Sequence, residues 1–573
     1  APFWGVAAWR KHRWAVHGKR ALHCGIAYRA SLSVGYKQQP SLIILRVPQT
    51  NFESCVFMSA QTTHIQDSAR VANASWILAG TILPSSMAFI SGNALTIALP
   101  ALQAELGARG SDVLWIVNGY MLFLSALILI GGALGDRFGR KRVFMLGIII
   151  FTLTSALSAF MNDVGLLIGL RMVQGVGAAL MVPGSLAIIS AAFPPTQRGR
   201  AIGTWSTFSA ITTVLGTPLG GILADAGLWR AVFFINVPLG VASLYILWRY
   251  VPESRDETAP ARLDYLGALL IALALGGITY AFTEAPNAGL GAPLILGTLL
   301  GGVLAFVLFI IVELRTDQPL VPLSLFRNHM FAGTNLMTFF IYATLAVFPV
   351  FLALNLIQVQ GYSESIAGFA ILPFGILLAL MSRWAGGLID QVGARLPLTI
   401  GPLVLCGGYV LSALNGITDG AEAYFTTFFP AIVCLGIGIG ITVAPLTTAV
   451  MNAVPNEAIG TASGVNNAVS RIGGVLALAI FGALMLTIFA EALRSNTADL
   501  PLSAEARLTL AANAAQLAET QPPDDLDEAT KDAVRAAIRA AFVAGFQVLM
   551  LMLAGLCALG ALTSFISIAP HRR

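Results

Sequence analysis

The chain has 573 residues, of which 57% are hydrophobic and only 11% charged, with a mean hydropathy of +0.79. Soluble globular proteins are roughly a quarter charged, so a fold surrounded by water is excluded. The formal net charge of +5 sits in short loops between apolar runs and comes with no basic recognition motif, which argues against nucleic acid as a partner.

In chain order, residues 1–57 are basic and hold no apolar stretch long enough for a signal peptide. We expect natural translation to start at Met58, the tail 1–74 being disordered or non-native before that methionine. A membrane-spanning helix needs about 20 mostly apolar residues. Such runs fall at 75–99, 112–135, 143–161, 164–192, 201–224, 231–251, 264–284, 294–314, 331–357, 364–385, 396–414, 424–449, 460–489 and 541–567. Glycine and proline inside them are ordinary in membrane helices, so about fourteen spans are predicted.

The loops orient these spans. Arg137, Arg140, Lys141 and Arg142 follow the second, and Arg198, Arg200, Arg255, Arg262, Arg315, Arg327 and Arg395 follow later even-numbered ones. The positive-inside rule then puts both termini, including the tail 568–573, in the cytoplasm. Between the last two spans, residues 490–540 are polar and net acidic, with Asp524, Asp525, Asp527 and Glu528. Alanine-rich amphipathic pieces there predict short helices on the outer face, with a plug or a partner site as the alternative.

None of the five cysteines, Cys24, Cys55, Cys406, Cys434 and Cys557, forms a CxxC pair, so neither a disulfide framework nor a zinc site is expected. The histidines (His12, His17, His23, His64, His329 and His571) all fall outside the apolar runs. This argues against haem and against a histidine relay in the bilayer. No cofactor, metal or enzymatic activity is expected, and the absence of a GxxxxGK[ST] loop argues against direct ATP drive.

An internal repeat organises the spans. Gly132, Asp136, Gly139 and Lys141 are matched in spacing by Gly386, Asp390, Gly393 and Arg395, and the tetrapeptide Ala201–Thr204 recurs at Ala458–Thr461. An offset of about eight spans means six, an inserted pair, then six, as in transporters built from parallel repeats.

These residues resemble a known family. Gly132, Leu134, Asp136, Arg137, Gly139, Arg140 and Lys141 are similar to the signature loop between helices 2 and 3 of the major facilitator superfamily. A very short connection needs glycines for its turn, and Asp136 can cap or pair with a neighbouring helix end. The resemblance implies a role in the conformational switch for this loop and for Asp390 and Gly393. Arg171, Gln174, Gly175 and Gly177, followed by Pro183, resemble the helix-4 motif of the drug:proton antiporters. Trp229, Arg230, Phe233, Asn236, Pro238 and Gly240 resemble the helix-6 entry of the fourteen-helix drug exporters, the EmrB/QacA type, and Ala98, Leu99 and Pro100 end the first span as that branch does. The resemblance covers 75–567.

Two departures matter. Where that branch carries an aspartate in the first helix, this chain reads Phe89, Ile90, Ser91, Gly92. Arg171 lies about 10 Å inside the fourth span, where an ionised group is costly and normally paired. Ser91 lies at a similar depth, so the carboxylate expected opposite Arg171 is missing. The helix-5 motif reads Gly216, Thr217, Pro218, Leu219, Gly220, Gly221, with its proline one residue late. Close packing through the glycines is kept while the bend moves on.

Asp112, Asp225 and Glu284 stand at span ends. Asp225 and Glu284 are candidates for a protonatable site, against the plainer reading of helix caps. Arg471 in the thirteenth span is either functional or paired with backbone carbonyls or with Asn466 and Asn467. Two intramembrane arginines among few acids leave open a cargo that brings its own negative charge. Phe339, Phe340, Tyr342, Phe348, Phe351 and Phe374 form either a cargo wall or bundle core.

The expectation is an all-α polytopic membrane protein with the major facilitator fold: a six-helix bundle at 75–251, an inserted pair at 264–314 and a second bundle at 331–567 that carries the outer loop. The expected function is secondary active, proton-coupled export of amphipathic drug-like molecules by alternating access in a bacterial inner (cytoplasmic) membrane. The expected partners are the small-molecule substrate, protons and the lipid bilayer, with a periplasmic adaptor left open. Two alternatives stand beside it. One is an exporter of an anionic or zwitterionic metabolite or lipid-like compound with non-standard coupling. The other is a non-transporting sensor or scaffold, kept open by Ser91.

Overall fold

In lipid every backbone N–H and C=O must be satisfied within the segment, which leaves apolar chain the helix. The computed structural model describes residues 73–255, 264–455 and 459–568. They belong to one compact unit, Ala69–Arg573. The expected start at Met58 and the remainder of the tail up to 72 lie outside the described residues.

Fourteen helices are long and apolar enough to cross a membrane, and no strand occurs among the described residues. They are α1 (Ala74–Leu106), α2 (Gly110–Phe138), α3 (Arg140–Ser158), α4 (Val164–Ala192), α5 (Pro195–Asp225) and α6 (Ala231–Tyr250). Then come α7 (Tyr265–Ala288), α8 (Pro293–Arg315), α9 (His329–Leu354, continued by a π-turn Asn355–Val359), α10 (Glu364–Val392), α11 (Arg395–Ala413), α12 (Phe428–Asn452), α13 (Ile459–Asn496) and α14 (Glu528–Ser567). The last is 40 residues long, or about 60 Å at 1.5 Å per residue. It therefore stands well clear of a hydrocarbon core about 30 Å thick.

The packing repeats with the offset read from the sequence. Pairs α1–α5, α2–α4, α3–α4, α1–α6 and α3–α6 recur as α9–α13, α10–α12, α11–α12, α9–α14 and α11–α14. The two bundles meet through α5 against α10 and α2 against α13, which are equivalent contacts under the same repeat. The inserted hairpin is not a spacer. Its α7 packs against both α2 and α13, and so lies along one of the two seams, while α8 presents Leu300, Leu304 and Leu314 outward.

The segment between α13 and α14 is ordered. It holds a helix Ala504–Asn513 capped by Ser503 and a 3-10 turn Ala514–Glu519. Leu510, Ala514 and Leu517 join the apolar core shared by both bundles.

Candidate functional site

Inside the first bundle a polar chain is built around Arg171. Asp163 caps α4 through the Leu166 N–H at 2.7 Å, and the helix then sets Arg171 and Gln174 three residues apart on one face. Arg171 is 1% exposed. Its guanidinium is held by neutral groups: Nε donates to the Ile116 carbonyl at 3.1 Å, and Nη1 to Gln174 Oε1 at 2.6 Å and Ser91 Oγ at 3.2 Å. The Tyr120 ring lies against the cation, 4.4 Å from centroid to Cζ, a contact that reaches about 2 kcal/mol when desolvated. Gln174 Nε2 donates onward to Ser155 Oγ in α3, which also accepts from Asn236 Nδ2 of α6 at 3.4 Å. Ser91 thus occupies the place opposite Arg171 where the resembled branch has an acid. No described carboxylate pairs with Arg171. Tyr120 and Ser155 are side chains of this network that the sequence did not single out; an aromatic or a serine in an apolar run gives no signal.

Arg471 is different. It is half-buried on α13 and lies within electrostatic reach of Tyr120 on α2 and Tyr342 on α9. Asn466 donates instead to Asn335 Oδ1 and Thr338 Oγ1 of α9, and Asn467 to the Ser463 carbonyl. Among the described residues Arg471 has no hydrogen bond or ion pair. Of the aromatics, Phe348 and Phe351 are core residues, 2% and 1% exposed, while Tyr342 faces the seam cation.

The α5–α10 seam is closed at the end that carries Asp225. A Cβ on Gly220 would collide with the Ala94 carbonyl of α1, and one on Gly221 with the Glu364 carbonyl of α10; Gly216 lies against Asn93. The helix-5 motif therefore packs α5 to its own bundle and to the opposite one, and Pro218 meets Gly368 of α10. One turn further, Asp225 accepts the backbone N–H groups of Glu364 at 2.9 Å and Ser365 at 3.1 Å, and the Ser365 hydroxyl. It caps the N-terminus of a helix in the other bundle, where a negative charge is favoured. Beside it Gln358 Nε2 of the π-turn donates to Gln103 Oε1 of α1 at 3.1 Å, and Gln103 Nε2 to the Gln516 carbonyl of the segment between α13 and α14 at 3.1 Å. Glu519 of that segment lies close to Gln358 and Glu364, and burial pushes its carboxyl above the ordinary range.

The other two acids picked out from the sequence do not cross the α5–α10 seam. Asp112 closes a capping box with the Arg109 N–H at 2.9 Å. Glu284 accepts from Trp115 Nε1 at 2.7 Å and from Asn287 at 3.1 Å, tying α7 to α2. A cavity of about 980 Å³ opens near this junction between α7, α13 and the helix Ala504–Asn513, with Phe282, Leu484, Arg494 and Arg507 among its walls.

At the opposite end, Gly139 turns the chain between α2 and α3 with φ 112°. Asp136 pairs with Arg140 Nε at 2.7 Å. Lys141 Nζ donates to the Val251 and Trp248 carbonyls at the end of α6, while the Glu253 carboxylate accepts the N–H groups of Lys141 and Arg142 at the start of α3. The loop therefore clamps α3 and α6 by reciprocal caps. Glu253 was not singled out from the sequence, since only the fold brings it beside Gly139. Gly132 packs on Pro183, Arg137 lies over the Phe138 ring, and Gly393 adopts φ 74° in the corresponding turn of the second bundle. The side chain of Asp390 lies outside the described ones.

The Major Facilitator Superfamily pattern matches residues 82–478. The chain belongs to this superfamily. It is 33% identical over 413 residues to the multidrug resistance protein Stp of Mycobacterium tuberculosis, covering 71% of this chain and 75% of that protein. It is 31% identical over 463 residues to the tetracenomycin C resistance and export protein of Streptomyces glaucescens, covering 80% and 85%. It is 33% identical over 458 residues to the methyl viologen resistance protein SmvA of Salmonella typhimurium, covering 78% and 89%. Its fold is that of the bacterial homologue of the human lysosomal transporter Spinster in an inward-facing, occupied conformation, with TM-score 0.58, 19% identity, and coverage of 85% of this chain and 97% of that one. This major facilitator protein is a multi-pass secondary carrier of small molecules, not an enzyme.

Proposed function

We propose that the protein exports amphipathic, drug-like molecules in exchange for protons, as a member of the EmrB/QacA-type branch in a bacterial inner membrane with both termini cytoplasmic. The observation that carries the reading is the set of resistance and export proteins at 31–33% identity over 71–80% of the chain. The site supports it in a modified form. With Ser91 opposite Arg171, the proton is carried elsewhere, and Asp225 is the acid placed to couple it to movement. Its carboxylate holds the N-terminus of α10 across the seam, and protonation would remove the charge that favours that cap. A proton arriving from outside thereby loosens the outer closure. Flux through inverted vesicles with an acid interior tests this: an amphipathic compound should release protons in wild type. Asp225→Asn should uncouple proton release from flux, whereas Ser91→Ala should leave coupling intact. Undiminished coupling in Asp225→Asn would refute the assignment.

Arg471 favours a second reading of the cargo. An unpaired cation between the bundles would be neutralised by a substrate carrying a carboxylate, sulfonate or phosphate group. Under this reading anionic and zwitterionic compounds lose flux in Arg471→Gln while cationic ones do not. A periplasmic adaptor would engage the outer segment 497–527, and deletion of that segment that leaves export across both membranes intact would exclude it.

A further inference from the structure

The inserted hairpin carries two acids that the transport reading leaves unused. Asp264 is the N-cap of α7, with Oδ1 accepting the Gly267 N–H at 2.7 Å. Glu313 lies two residues from the end of α8 and is 3% exposed. One oxygen of each, Asp264 Oδ2 and Glu313 Oε1, is buried without a hydrogen-bond partner. These two orphaned oxygens face each other across Gly267: the place a Cβ would take there is 2.6 Å from Asp264 Oδ2 and 2.9 Å from Glu313 Oε1. Glycine leaves that space open.

Among the described residues no cation answers them. None of the ion pairs among the described residues includes Asp264 or Glu313. Arg315 and Asp317 on their own side are exposed. On the elements packed around the hairpin, Asp112 and Asp136 of α2 are engaged with Arg109 and Arg140, Arg137 of α2 lies on Phe138, and Arg471 of α13 lies toward Tyr120 and Tyr342. Arg327 and His329 follow in the connection to α9. Beyond its own helix, what answers Glu313 among the described residues is backbone: the Val321 N–H donates to Oε2 at 3.0 Å, with the Leu320 amide beside it. Two carboxylates brought together, with Glu313 buried, repel each other, and a cation held between their free oxygens relieves that repulsion.

We propose that Asp264 and Glu313 form a site for one monovalent cation, a proton or an alkali ion, at the foot of the inserted hairpin and apart from the substrate path. Binding is read out through Val321. That residue's side chain packs on the core shared by α2, α7, α8 and α13, and also on the one formed by Phe331, Val450 and Val465 of the second bundle. The α8–α9 connection is thereby tied to both bundles, and occupancy of the site sets how firmly it is held.

The test uses the full-length protein in nanodiscs of neutral lipid, by infrared difference spectroscopy across a pH series with and without sodium, and by equilibrium binding of radioactive sodium. A protonated-carboxyl band at neutral pH that is lost in Glu313→Gln and shifted in Asp264→Asn, but kept in Asp225→Asn, assigns a proton. Sodium binding of one ion per chain that falls at least tenfold in the same two variants assigns an alkali ion. Gly267→Ala places a methyl between the oxygens and should abolish sodium binding, or shift the frequency of the carboxyl band, while the chain still elutes as folded protein. Wild type showing neither signal, or a signal indifferent to Asp264, Glu313 and Gly267, overturns the proposal.

Discussion

Arg171 shows how much of a buried charge neutral groups can carry. Four partners on three helices, Ser91, Ile116, Gln174 and the Tyr120 ring, surround it, and a charge-assisted hydrogen bond contributes about 1.5–3 kcal/mol. Replacing the cation by Met should destabilise the first bundle by about 3 kcal/mol, because the Gln174 and Ile116 acceptors are left buried and unmet. Thermal unfolding in detergent, read on a reporter in α4, measures that loss. Ser91→Asp should move the same transition upward, since a carboxylate at 3.2 Å from Nη1 supplies the missing countercharge. A lowered transition in Ser91→Asp would mean that the site cannot accept an acid.

At the scale of elements, the segment between α13 and α14 behaves as a part docked on the end of the seam. Leu517, 4% exposed, is the anchor and adopts φ 56°, a left-handed conformation that an ordinary residue takes only when its surroundings hold it there. Leu517→Ala should release the segment by about 2–4 kcal/mol, seen as faster hydrogen exchange over 504–519. Glu519 gives this docking a pH dependence. Burial holds its carboxyl above the ordinary value, so the docked form binds more protons than the free one between the two values. Docking is therefore strongest below the ordinary carboxylate range and weakens as pH rises through the raised value. Exchange over 504–519, corrected for its intrinsic pH dependence, should be slower near pH 5 than at neutrality, and Glu519→Gln should remove the difference.

For the whole molecule, transport by alternating access needs the two bundles to part on the side now closed. Cysteines at Asp225 and Ser365, whose side chains touch across the seam, should form a disulfide that stops flux and is reversed by reductant. The same treatment of cysteines at Ser85 and Ser185, 2.9 Å apart within one bundle, should leave flux unchanged. Flux that survives the first cross-link would show that the seam does not open there. The inserted hairpin rides on α2 and α13, so it must either follow one bundle or slide on the other during the same motion.

Much of this was legible from the sequence, because the bilayer simplifies the code. A backbone that cannot bond to solvent must be helical, so apolar length alone marked the fourteen spans. The spacing of Gly132, Asp136 and Gly139 against their echo near Asp390 gave the eight-helix offset that the packing of α1–α6 and α9–α14 repeats. Depth along a span also sufficed to set Ser91 level with Arg171. What depth could not supply was azimuth and partner. The cap that Asp225 lends to α10, the meeting of Asp264 with Glu313, the clamp made by Glu253 and the seat of the hairpin on a seam each join residues far apart in the chain. A helix end carries the same unsatisfied N–H groups wherever it lies, and only the tertiary arrangement decides which carboxylate reaches them.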